Sequence, residues 1–147
     1  EACKTMWGVV ACYPIYACIM KLMTDSGLGG VMSEWIVSIS TADTLPVFTY
    51  LSAGLVNIFV PSAGGQWAVQ APFVAPAAIS LGTDMWKAVI PVALGDCWTN
   101  MLQPFWAIPI LGICRVKVKE MIPYTFAIAV FAGVVGCLWF GIVFPFF

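Results

Sequence analysis

The chain contains no histidine, and charged residues make up only 9% of its 147 positions. Without imidazole, histidine-based triads, imidazole proton relays and most zinc sites are excluded. The cysteines Cys3, Cys12, Cys18, Cys97, Cys114 and Cys137 form no CxxC pair. They read as small buried hydrophobes, not as disulfides or metal ligands. No basic run exceeds Arg115-Val116-Lys117-Val118-Lys119, and the net charge is −1; nucleic acid is therefore not an expected partner. No nucleophile–base pair is evident, so enzymatic activity is not expected. The chain opens Glu1-Ala2-Cys3-Lys4, with neither an initiator Met nor a signal peptide. It is expected to be a C-terminal portion of a longer protein.

What fills the sequence instead is apolar. Hydrophobic residues reach 62%, with a mean hydropathy of +0.99. A soluble domain carries roughly 45–50% apolar and 25% charged residues. This chain has too few charges to cover a water-facing surface, so it reads as an all-α integral membrane protein whose first partner is the lipid bilayer.

Span lengths follow from a helical rise of about 1.5 Å per residue. Thr5 to Met23 gives about 28 Å, enough for a first span kinked at Pro14. Asp25-Ser26-Gly27-Leu28-Gly29-Gly30 then breaks the helix, and Val31 to Ile39 reads as a short interfacial segment. Leu45–Pro61 and Ala68–Leu81 are about 25 and 21 Å long, short of a bilayer core of about 30 Å. Only a few small residues join them, so 45–81 reads as a re-entrant hairpin in preference to two full spans. Met85 to Leu111, about 40 Å if continuous, is too long for one straight span and reads as a broken helix. Met121 to Val143 forms the last span and ends in the boundary aromatics Phe144-Pro145-Phe146-Phe147. The whole of 1–147 thus reads as a single multi-pass transmembrane domain. Arg115, Lys117 and Lys119 place their loop in the cytoplasm, together with Lys4. Asp25, Glu34, Asp43 and Asp84 then fall outside, as do Lys21 and Lys87, the latter snorkelling to the interface. That orientation suits a plasma (inner) membrane.

Function is sought at the two interruptions. Irregular backbone at membrane depth is tolerated only where protein covers it or a cavity opens, and paired interruptions point to a transporter site. In Pro61-Ser62-Ala63-Gly64-Gly65-Gln66-Trp67, Gly64 and Gly65 would permit a tight turn with N–H groups open to a ligand. A second arm beginning near Trp67 would aim its positive end at a carboxylate, with Ser62 and Gln66 adding donors. Asn57 and Gln70 lie about one helical turn to either side. In the second interruption, Gly95 to Pro104, Asp96 is the only acidic residue deep in an apolar segment. It suits a proton or, with unwound carbonyls, Na⁺; it also suits an N-cap of the second half-helix. Thr99, Asn100 and Gln103 supply further polar groups, and Trp67, Trp98 and Trp106 either wall off an apolar tail or pack helices.

These same residues carry a resemblance. Ser26-Gly27-Leu28-Gly29-Gly30, Val60 to Phe73 and Gly95 to Ala107 resemble the C-terminal part of the short-chain fatty acid transporters of the acetoacetate/butyrate permease type. The likeness runs over essentially the whole chain and departs at Ala63, where a third glycine is expected. It implies an ion-transporter-like fold of two inverted repeats, each with a hairpin and a broken helix, of which this chain is one. It also implies a symporter of short-chain monocarboxylates. The expected site is then Ser62, Gly64, Gly65, Gln66, Trp67, Thr99, Asn100 and Gln103 for a small carboxylate, with Asp96 for a coupling H⁺ or Na⁺ and no other cofactor. An N-terminal repeat beyond this chain, or a second copy, would complete it. A dicarboxylate carrier, a cation antiporter and a non-transporting membrane subunit stay open, although no basic residue near either interruption suits a second carboxylate.

Overall fold

A computed structural model describes residues 10, 14–15, 17–19, 21–22 and 25–146. The expected span over 5–23 therefore lies largely outside the described residues. Among those described, the secondary structure is entirely helical: α1 (Leu28–Ser38), α2 (Leu45–Asn57), α3 (Ala63–Ser80), α4 (Trp86–Asn100), α5 (Ile108–Cys114) and α6 (Val118–Leu138). A 3₁₀ turn at Pro104–Trp106 precedes α5, and a π turn at Trp139–Val143 and a 3₁₀ turn at Phe144–Phe146 extend α6.

Local chemistry sets the helix ends. Pro46 sits in the first turn of α2, where its missing N–H costs no bond. Ser62 caps α3 by accepting from the Gly65 N–H at 3.4 Å. At the other end Gly82 turns left-handed (φ 66°), and the Gly82 and Thr83 N–H groups return to Ile79 and Ala78 carbonyls. Arg115 ends α5 in the same left-handed region (φ 56°) without a glycine's freedom. Glu120 accepts from the Lys117 N–H at 3.3 Å and starts α6.

The core forms where α3 packs on α2 and α4, around Leu45, Ala53, Val74, Ala78, Ala88 and Val92. Contacts between α2 and α4 rise together in number: a Cβ on Gly95 would meet the Tyr50 carbonyl at 2.5 Å, and Asn57 bonds to Asp96 and Thr99. The two helices are therefore parallel, and α3 runs back between their ends. A parallel pair brings like ends together: the C-termini of α2 and α4 meet, with the N-terminus of α3 beside them. Residues 43 and 84, which precede the two helices, accordingly share one end.

One helix among the described residues, Val118–Phe146, is long and apolar enough to cross a membrane. α2, the first arm of the expected hairpin, has 13 residues, about 20 Å. The second arm differs from expectation: α3 begins at Ala63, not near Trp67, and has 18 residues. Capping decides this, because Ser62 holds the first turn before the tryptophan is reached. The expected break in 85–111 occurs at Met101–Gln103, where Gln103 is extended (ψ 110°), and not around Asp96, which is helical. Pro104 forces that boundary, since the residue before a proline is driven out of the helical region. The described cysteines also differ, Cys3 and Cys12 lying outside the described residues. Cys18, Cys97 and Cys114 are exposed and Cys137 is half-buried, all as free thiols. Their apolar setting is the outer face of the helices, not the interior of the chain.

Candidate functional site at the ends of three helices

The parallel pairing gathers the predicted residues at one end of the structure. A cavity of about 250 Å³ is lined by Ala63 and Trp67 from the first turns of α3 and by Val89, Val92, Ala93 and Asp96 from α4. The two sequence interruptions thus share one space. Among the described residues, Asp96 is the only charged side chain that lines it. Its wall is otherwise apolar, Trp67 standing beside small Ala and Val side chains.

Behind Asp96 lies a network of buried side chains, with Ser52, Asn57, Gln66 and Gln70 all at 0% exposure. Asn57 Nδ2 donates to the Asp96 carbonyl at 2.7 Å and to Thr99 Oγ1 at 2.9 Å. Gln103 Nε2 donates to the Asn57 carbonyl at 2.7 Å, which ties the break in 101–103 to the end of α2. Asn100 Nδ2 reaches Asp96 Oδ2 at 3.4 Å. Gln66 Nε2 donates to the Ala53 carbonyl and to Gln70 Oε1, both at 2.9 Å, and Gln70 Nε2 to Ser52 Oγ at 3.2 Å. Such bonds are expected where carbonyls at helix ends would otherwise be buried without donors.

Several predicted roles change in this light. Gly64 and Gly65 form no tight turn; both are helical, and the left-handed glycines are Gly27 and Gly82. Their place in the first turn instead leaves the Ala63 and Gly64 N–H groups without intrahelical acceptors. A Cβ on Gly64 would meet nothing within 4 Å, so this backbone is open to approach. Gln66 is no free donor, because both its amide hydrogens are already engaged within the protein. Asp96 is not an N-cap and its surroundings are not unwound; it sits in the next-to-last turn of α4. Thr99 accepts from Asn57 and faces Gly95, so it serves the network first. Trp98 leaves the site altogether: its indole N–H donates to the Ala129 carbonyl of α6 at 2.7 Å. Trp67 remains in the cavity wall, while Trp106 is 53% exposed and away from it. Lys87, at the opposite end of α4, donates to the Pro145 carbonyl at 3.3 Å and lies over the Trp86 ring.

Asn57 is the residue that sequence reasoning undervalued. It stood only as a neighbour of the tip, yet it joins the end of α2 to α4 and to the break at 101–103. The signal was the recurrence of amides at 57, 66 and 70 in segments otherwise apolar.

Comparison with known proteins decides the family. The profile of the short chain fatty acid transporters matches residues 1–144. The chain belongs to the short-chain fatty acid transporter family. A protein of Escherichia coli (strain K12), provisionally named a short-chain fatty acid transporter, is 42% identical over 134 residues, covering 91% of this chain. One of Haemophilus influenzae (strain ATCC 51907 / DSM 11121 / KW20 / Rd), with the same provisional name, is 38% identical over 133 residues, covering 90%. The chain spans 30% of the length of each of these transporters. No solved structure matches it significantly. Membership in this family implies a membrane setting.

Proposed function

We propose that the chain is the C-terminal repeat of a secondary carrier that moves short-chain monocarboxylates by symport with a cation held at Asp96. The observation that carries this reading is that the first turns of α3 share one cavity with Asp96 of α4, beside which the C-termini of α2 and α4 meet. The N-terminus of α3 presents free N–H groups and about half a positive charge, which suits a carboxylate. The C-termini of α2 and α4 present the opposite sign, which suits a cation. A small apolar wall of Ala63, Val89, Val92 and Ala93 fits a short aliphatic tail. Among the described residues no basic side chain lines the cavity to hold a second carboxylate, which favours a monoanion over a dicarboxylate.

The arrangement also accounts for coupling. A substrate carboxylate and an ionised Asp96 in one poorly hydrated cavity repel each other strongly. A cation between them removes the conflict, so anion and cation bind best together. On this reading 45–81 is a re-entrant hairpin and 85–111 a broken helix, in one of two inverted repeats in the inner membrane. The test is uptake of labelled butyrate or acetoacetate into proteoliposomes containing the full-length protein, with imposed pH or Na⁺ gradients. Uptake should rise with one of them. Uptake indifferent to both would sink the symport reading, and gradient-driven uptake retained in Asp96→Asn would sink the assignment to Asp96.

A further inference from the structure

Four side chains where α2 and α4 end present oxygen atoms with nothing to accept from. Asn57 Oδ1, Asp96 Oδ1, Asn100 Oδ1 and Gln103 Oε1 are buried and have no hydrogen-bond partner. Asn57 and Asp96 are themselves 0% and 5% exposed. The direction of the amides is fixed by their other contacts. Asn57 and Gln103 each turn the NH₂ group onto a backbone carbonyl, at 2.7 Å, and Asn100 turns its own onto the Asp96 carboxylate. Carbonyls and carboxylates only accept, so flipping any of these amides would set oxygen against oxygen. Their oxygens are therefore what remains to face a ligand. All four belong to one hydrogen-bonded network, and two helices end in it: Asn57 is the last residue of α2 and Asn100 the last of α4. Each helix end adds about half a negative charge.

We propose that Asn57, Asp96, Asn100 and Gln103 bind a dehydrated monovalent alkali cation. The proposal deepens the transport reading and rests on it, naming the coupling ion as a metal cation in place of a proton. Oxygen count separates the two. A proton on Asp96 makes one donor and satisfies at most one of the three amide oxygens, leaving two unpaired. A hard cation accepts all four oxygens at once. Charge selects the valence: the single carboxylate neutralises one positive charge, whereas a divalent ion would leave an excess charge at membrane depth.

The test uses the full-length protein purified in detergent, with equilibrium binding of radiolabelled sodium, and of radiolabelled rubidium as the potassium probe. Saturable binding of either ion, displaced by the unlabelled salt but not by choline chloride at equal ionic strength, is the expected result. Asp96→Asn and Asn100→Ala should each weaken it about ten-fold or more. Asn100→Asp, which keeps an oxygen and loses the amide, should retain it; a merely structural role for Asn100 predicts the reverse order. Wild-type protein that binds neither ion, or binding unchanged in Asp96→Asn, overturns the site. Exchange of labelled butyrate without any ion gradient is measured in the same preparation. Full exchange in choline alone overturns the cation site while the monocarboxylate reading stands. Alkali-cation binding without butyrate exchange in any salt retains the site and overturns that reading.

Discussion

Helix α2 meets α4 through two unlike regions. Toward its middle, Tyr50 stacks on Trp98 with ring centres 4.9 Å apart, and Phe140 and Phe144 close the cluster from the turns that extend α6. Both polar atoms there are satisfied, the Tyr50 hydroxyl on the Ala132 carbonyl at 3.3 Å and the Trp98 indole on that of Ala129. Gly133 lets the indole lie flat on α6; a Cβ there would come within 2.6 Å of Trp98. One turn or two further along, at Asn57, the same pair of helices holds buried amides and a carboxylate with oxygens to spare. The aromatic region is finished by the chain itself. The polar region is not, and unpaired buried acceptors are too costly to keep without a purpose. On the proposed reading, stability and function sit side by side along one interface.

Four substitutions test this division, from the largest expected effect to the smallest. Trp98→Ala should destabilise the full-length protein by about 3–5 kcal/mol, as other large aromatic truncations do, read as a drop in melting temperature in detergent. The butyrate site of any protein that remains folded should still work. Asp96→Asn should show the opposite pattern. Gradient-driven uptake should fall by about two orders of magnitude, an effect of about 2.7 kcal/mol, with the melting temperature nearly unchanged. An equal loss of stability in this variant would erase the contrast between the regions. Gly133→Ala should cost about 1–3 kcal/mol by overpacking the indole, since Trp98 is itself held by the Ala129 bond and cannot easily move. Gly64→Ala, with open space around the new methyl, should leave stability unchanged or raise it by less than about 1 kcal/mol. Its effect belongs to transport: a methyl on the exposed first turn of α3 should raise the apparent KM for butyrate several-fold, with little change in maximal rate. Thermal melts and uptake kinetics on the same preparations separate the two columns of outcome.

Much of this was legible without coordinates. Scarce charge and long apolar segments specify membrane helices, because every polar backbone group in lipid must be paired within the helix. Ser62 capping, Gly82 termination and the Pro104 boundary are likewise local chemistry at the joins of α2 with α3, α3 with α4 and α4 with α5, although the start of α3 was read near Trp67 and not at Ala63. The motifs around 60–73 and 95–107 carried the family. Even Asp96 could be singled out, as the one carboxylate deep in an apolar stretch.

Pairing is what the sequence left undetermined. Nothing local says that Gln66 turns its amide onto Ala53, that Trp98 leaves the site for α6, or that Gly64 and Gly65 are helical and not a tight turn. These outcomes depend on which helix lies against which, and at what register. Gly95 settles that register, because only a residue without Cβ lets α4 approach the Tyr50 carbonyl of α2. Once the two helices are parallel and that close, Asn57 meets Asp96, and the first turns of α3 share one cavity with α4. Composition and periodicity determined the membrane, the helices and the residues worth watching. Only tertiary packing decided which of them face one another, because a hydrogen bond between distant segments has no signature in either segment alone.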